Sequence, residues 1–145
     1  MIFKSFIITS FLLVIIFSGC GSDDPDKLTE FQLNHGIGPV TDTIELGEID
    51  LEKAEQGRQI FSTYCVACHQ LDAVIVAPRL RNVANRREPE FILNYILNPI
   101  EMSNRHPVGQ ELSSSYPGVK ADLGISENQA FLLLEYLRAA NANEM

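Results

Sequence analysis

The feature that most constrains this chain is the pentapeptide Cys65-Val66-Ala67-Cys68-His69. Two thiols at this spacing lie one helical turn apart, so each can add to one of the two vinyl groups on a single haem edge. His69 follows directly and is carried beneath the iron, where an imidazole nitrogen is a strong axial ligand. The motif predicts one covalently attached haem c, held by Cys65 and Cys68 with His69 as an axial ligand.

Two other kinds of site also use a Cys-x-x-Cys pair. Thioredoxin-like redox chemistry requires a βαβ context, and the sequence shows no strand pattern. A zinc site requires a further pair of ligands, but the only other histidines, His35 and His106, are far apart in the sequence. Haem is therefore preferred over both alternatives.

Three amphipathic segments predict an all-α fold. Asp50 is a good N-cap for a helix of about fifteen residues that ends at Cys65. Proline at the first helical position and an apolar stripe predict a second helix over 90–98. Ser126 and Gln129 form a capping box for a third, which ends near Ala140. The loops over 70–88 and 99–125 are long, as expected if they surround a large apolar group.

Residues 50–140 resemble a class I cytochrome c, the monohaem class. In this family a helix leads into the Cys-x-x-Cys-His motif, and a turn that contains proline follows it. Ala77-Pro78-Arg79-Leu80 matches that turn. The resemblance implies that the Pro78 carbonyl accepts the ring N–H of His69 and so fixes its tautomer. It also implies that the first helix crosses the last, with Gly57 and Phe61 near Tyr136 and Leu137.

The second axial ligand is where the chain departs from that family. The family has a methionine shortly before the last helix, but this position falls at Lys120 or Ala121. Met102 is the only internal methionine after the haem motif, and we take it as the candidate distal ligand, with packing as its alternative role. His106, Lys120 and a five-coordinate iron remain open.

The amino terminus has the order of parts of an export signal. Lys4 precedes an apolar run over 6–17, and small residues lead to Cys20, as in a bacterial lipobox. The run is too short for a transmembrane helix, which needs about 20 apolar residues. We predict a lipoprotein signal peptide over 1–19, lipidation of Cys20, and a chain anchored to a membrane and facing the periplasm or the cell surface.

The charge pattern separates a tether from the haem domain. Residues 23–55 contain ten acidic residues and two lysines, with scattered Gly and Pro, which predicts an acidic extended tether over 20–49 before a cytochrome c domain over 50–145. The net charge of −8 argues against nucleic acid as a partner, because such binding depends on neutralising phosphates.

These features predict an electron carrier rather than an enzyme. The expected partners are redox proteins: a quinol-oxidising complex as donor and a terminal reductase or oxidase as acceptor. The chain is also similar to small lipoprotein cytochromes associated with nitrous oxide reductase in Bacteroidetes, through the stretch His35-Gly36-Ile37-Gly38-Pro39 and the Asn98-Pro99 to His106-Pro107 segment. A haem sensor or a peroxidase-like protein with an open distal site is the alternative.

Overall fold

Helices form all the regular secondary structure in residues 27–118 and 120–145, the part of the chain described by this computed structural model. The all-α prediction is confirmed. In chain order the helices are α1 (Glu30–His35), α2 (Leu51–Tyr64), α3 (Val83–Arg86), α4 (Pro89–Leu97), α5 (Pro99–Arg105), α6 (Pro107–Ser115) and α7 (Glu127–Asn141). No helix among these residues is both long enough and apolar enough to cross a bilayer. The predicted signal peptide and Cys20 lie outside the described residues.

The three predicted helices are α2, α4 and α7, and local signals explain their ends. The Asp50 carboxylate accepts from the N–H groups of Glu52 and Lys53 at the start of α2. Pro89 occupies the first turn of α4, where its missing N–H costs nothing. Ser126 and Gln129 form the expected capping box of α7.

Helices α2 and α7 cross in close contact, as the resemblance implied. At Gly57 the backbone of α2 approaches the Leu132 carbonyl so closely that a Cβ would lie 1.9 Å from its oxygen. Phe61 and Tyr136 pack beside this point, with ring centroids 5.3 Å apart. Together with Leu133 and Ala140 they form one buried cluster. The crossing holds α2, and therefore the Cys-x-x-Cys-His turn that follows it, in a fixed position.

The two long loops contain more structure than the sequence patterns predicted. Residues 70–88 include α3, and residues 99–125 include α5 and α6. Pro99 and Pro107 each occupy the first turn of a helix, where the fixed φ of proline suits a helical start. The same prolines therefore end one helix and begin the next, and neither helical start was predicted.

The predicted tether is partly folded. From Leu28 onward it packs against the domain, and its helix α1 begins with a Thr29–Gln32 capping box. Ile37 is buried with Phe91 and Met102 in an apolar cluster. Residues 28–49 therefore include a short helix and apolar side chains that pack against α4 and α5.

Polar side chains at every fourth position of α4 hold this segment in place. Asn94 is fully buried; it accepts from the Val40 N–H at 2.9 Å and donates to the carbonyls of His35 and Val40 at 2.9 Å each. Glu90 accepts from the Ile44 N–H and lies 3.2 Å from the His35 ring. Each of these buried polar groups has partners, so the contact contributes to a unique docking geometry.

Candidate haem site

The Cys-x-x-Cys-His segment forms a tight turn at the carboxyl end of α2. Cys65 caps the helix, and its carbonyl accepts from the N–H groups of Cys68 at 3.0 Å and His69 at 2.8 Å. The Ala77 N–H donates to the Cys68 carbonyl at 3.0 Å, which ties the turn to the following loop. Cys65 is half-buried and Cys68 is exposed, and they form no disulfide with each other. The turn therefore presents both sulfurs beside a fixed imidazole.

The His69 ring is oriented by the Pro78 carbonyl. Its Nδ1 lies 2.9 Å from the Pro78 oxygen, nine residues further along the chain. Because a carbonyl can only accept, Nδ1 carries the proton and Nε2 keeps its lone pair for a metal. Burial lowers the pKa of His69, the Pro78 hydrogen bond opposes this, and the Lys120 ammonium adds to the lowering. A half-buried, neutral imidazole with a fixed tautomer is a suitable axial ligand for haem iron.

The thiols do not resemble a reactive dithiol or a zinc site. Burial, followed by the nearby Cys68, raises the pKa of the Cys65 thiol to about 11. Redox-active Cys-x-x-Cys pairs instead have a lowered thiol pKa. Among residues 27–118 and 120–145, no group of three His, Cys, Asp or Glu side chains is arranged to hold a metal ion. The donor set fits thioether attachment of haem together with axial ligation by one histidine.

Met102, the candidate distal ligand, is engaged elsewhere. Its side chain is fully buried in the cluster with Ile37 and Phe91 beneath the amino-terminal segment. Its sulfur accepts a hydrogen bond from the Ile37 N–H at 3.0 Å. This contact gives Met102 the packing role that the sequence left open, and it argues against iron ligation by its sulfur. The sequence could not show this, because the docking of residues 28–44 was not predicted.

His106 is likewise part of the packing. Its Nδ1 accepts from the Val108 N–H at 3.2 Å at the start of α6, and its Nε2 lies 3.2 Å from the Leu33 carbonyl of α1. These partners require the neutral tautomer with the proton on Nε2. The ring also meets Phe91 edge-on, with centroids 5.2 Å apart. Both ring nitrogens are occupied, so His106 links α6 to α1 and is not a free metal ligand.

The engagement of His106 predicts an acid sensitivity of folding. Burial lowers its pKa, the carbonyls of Leu33 and Gln32 oppose this, and the Arg87 charge lowers it further. The unfolded chain therefore binds more protons than the folded one below about pH 6.5, so the free energy of unfolding should fall with acid. Urea unfolding measures this effect. Between about pH 7 and about pH 5, the free energy of unfolding should fall less for His106→Gln than for the wild type. An equal loss in both proteins would exclude His106 as the origin.

Lys120 lies in the loop between α6 and α7. Its half-buried ammonium donates to the carbonyls of Tyr116 at 2.7 Å and Gly118 at 2.9 Å. A cavity of about 340 Å³ lies beside it, and its lining includes Ser103 and Ser113. Their hydroxyls are buried and have no hydrogen-bond partner within the part of the chain that the structure describes. No motif or spacing in the sequence marks these two serines.

Comparison with known proteins agrees with this geometry. The chain matches the cytochrome c family over residues 54–141. A solved cytochrome c from Rhodothermus marinus is 45% identical and superposes with a TM-score of 0.73, covering 83% of this chain and 99% of that chain. An engineered cytochrome c from Rhodothermus marinus, bound to a carbene intermediate, is also 45% identical, with a TM-score of 0.70 over 77% of this chain and 97% of that chain. No curated protein sequence gives a significant match.

The family match spans α2 to α7, so it includes the haem-attachment turn, Pro78 and the helix crossing at Gly57. The segment that docks on α4 lies before it. The site geometry and the match lead to the same conclusion: the chain belongs to the cytochrome c family and carries covalently bound haem c.

Proposed function

We propose that this protein is a monohaem carrier that passes single electrons between redox partners at a membrane. The observation that carries the proposal is the attachment turn, in which Cys65 and Cys68 stand beside a His69 ring fixed by Pro78. Membership of the cytochrome c family indicates an electron-transfer haem protein in general terms.

The residues around the turn suit a rapid change of iron valence. Bound haem c supplies an iron that takes up and gives back one electron. The Pro78 hydrogen bond holds His69 in one orientation, and the α2–α7 crossing holds the turn, so little rearrangement accompanies the valence change. Cys68 is exposed, and Val74, Ile75 and Val76 are each about half exposed. This surface gives a partner protein a short route to the thioether edge.

The carrier function can be tested on the purified holoprotein. We expect reversible one-electron reduction and fast electron exchange with a soluble redox protein. The low-spin ferric spectrum should change little with cyanide, and the spectrum of the reduced protein should change little with carbon monoxide. A high-spin ferric spectrum with rapid binding of these ligands would favour the haem sensor or peroxidase-like alternative. That result would contradict the carrier proposal.

We place the carrier between a quinol-oxidising complex and a terminal reductase or oxidase. The support is the resemblance to small lipoprotein cytochromes associated with nitrous oxide reductase. The reduced protein should be oxidised by nitrous oxide reductase or by the terminal oxidase of the same membranes, as followed by stopped-flow absorbance. Failure with both would remove these acceptors from the proposal.

We also propose that a lipid on Cys20 anchors the protein. Two or three acyl chains on one residue give stable membrane binding, because each buried CH₂ contributes about 0.8 kcal/mol. Cys20→Ala should therefore release the protein from membranes or leave an unprocessed precursor, as measured by fractionation and intact mass. Ser22→Ala is the matched control and should remain anchored. A Cys20→Ala protein that is processed and membrane-bound like the wild type would exclude this lipid as the anchor.

A further inference from the structure

The α6–α7 loop carries the primary amine of Lys120 and packs on the segment that follows the attachment turn. A Cβ at Gly118 would lie 2.9 Å from the Val76 side chain, so this loop packs directly on the segment that leads into Pro78. Pro78 in turn holds His69. Lys120 follows two residues after Gly118 in the same loop. The described residues contain two other lysines, and both precede the attachment turn in the sequence. Lys27 lies just before α1, and Lys53 lies in α2.

We propose that the side-chain amine of Lys120 is the second axial ligand of the haem iron, opposite His69. The inference rests on haem attachment at Cys65 and Cys68 and does not depend on the choice of electron-transfer partners. It answers the question left by the absence of a methionine at positions 120 and 121.

The other candidate donors have partners that hold them away from such a role. The Met102 sulfur accepts from the Ile37 N–H, and both ring nitrogens of His106 are engaged with α1 and α6. The remaining histidine, His35, lies 3.2 Å from Glu90 at the amino-terminal segment. Among Met102, His35, His106 and Lys120, Lys120 alone lies in the loop that packs on the segment leading into Pro78, and it is half-buried there.

The hydrogen bonds of Lys120 are compatible with ligation. An ammonium group has three N–H donors, and two of them go to the carbonyls of Tyr116 and Gly118. Loss of the third proton to solvent would leave a lone pair that forms the iron–nitrogen bond, while the two hydrogen bonds persist. No electron is transferred in this step. The two carbonyls also limit the rotation of the amine, which lowers the entropic cost of holding it at the iron.

A different role for Lys120 would be to neutralise an anion in the neighbouring cavity. The unpartnered hydroxyls of Ser103 and Ser113 line that cavity together with Lys120, and a carboxylate such as a haem propionate would satisfy them. In that case the amine would stay protonated and the iron would not depend on it. The two roles predict different spectra after removal of the amine.

The test uses the purified, haem-loaded protein and its Lys120→Ala and Lys120→Met variants. The ferric wild type should be low-spin with two nitrogen ligands by electron paramagnetic resonance. Lys120→Ala should lose the low-spin signal and recover it when a short alkylamine is added, because the truncated side chain leaves space for one. Lys120→Met should gain the long-wavelength absorption band of methionine–iron(III) ligation. Lys27→Ala, which removes an exposed amine, should match the wild type.

The proposal is overturned if Lys120→Ala keeps the wild-type low-spin spectrum, or if the wild type itself is high-spin. Should Lys120→Ala fail to fold, Lys120→Met still decides the matter, because a methionine band shows that the side chain at this position reaches the iron and its absence shows the opposite. Haem staining of each variant after denaturation separates these outcomes from a failure of haem attachment.

Discussion

Replacing Cys65 and Cys68 together by alanine should abolish covalent haem attachment. These residues are the two thiols of the attachment turn, and no thioether bond can form without them. Wild-type protein, denatured and separated on a gel, should retain haem-stained mass, and its intact mass should exceed that of the chain by one haem. The double variant should show neither. Haem that stays attached to the double variant would refute the central assignment.

A matched variant separates attachment from ligation. His69→Ala keeps both thiols but removes the nitrogen oriented by the Pro78 carbonyl. We expect this variant to retain haem on a denaturing gel while losing the low-spin spectrum of the folded protein. An unchanged low-spin spectrum would show that His69 is not an axial ligand, even if the attachment itself is confirmed.

Gly57→Ala should be among the most destabilising single substitutions in the chain. The added Cβ would lie 1.9 Å from the Leu132 carbonyl oxygen and 2.6 Å from its carbon. Both atoms belong to the backbone of α7, so the helices must separate and the Phe61–Tyr136 contact must open. We expect a loss of about 3 kcal/mol or more in the free energy of unfolding, despite the gain of about 1 kcal/mol that alanine brings to a helix interior.

Urea unfolding of the holoprotein measures this loss, and Gly47→Ala is its control. A Cβ at Gly47 would meet nothing within 4 Å, so that variant should stay within about 0.5 kcal/mol of the wild type. A Gly57→Ala protein as stable as the control would mean that α2 and α7 can separate at no cost. The described contact would then not be the feature that fixes their crossing.

The sequence predicted those elements whose ends carry strong local signals. Asp50 and Ser126 cap α2 and α7 through their own side chains, and Pro89 suits the first turn of α4. By contrast, α1 has six residues and no buried side chain of its own. Its position depends on Asn94, which is distant in the sequence. The only sequence pattern that indicated this docking is the spacing of Glu90 and Asn94, four residues apart on the otherwise apolar helix α4.

The attachment half of the haem site could be predicted because its residues are adjacent or fixed by one turn. Pro78 reaches His69 across a nine-residue loop, and the family resemblance supplied that contact. The distal half could not be predicted in the same way. Whether a methionine packs or ligates depends on what covers it, and Met102 is covered by Ile37, a residue from the segment expected to be a tether. Long-range burial of this kind has no local pattern.

The docking of residues 28–44 on α4 also limits how far the haem can travel. Cys20 and Leu28 are separated by eight residue steps, and a chain spans at most about 3.5 Å per residue, so the proposed anchor would hold Leu28 within about 28 Å of the lipid. That reach is comparable to the diameter of a domain of about 100 residues. The haem would then stay in a thin layer next to the bilayer and would reach its partners by lateral diffusion. A short tether also raises the effective concentration of the haem near partners in the same membrane.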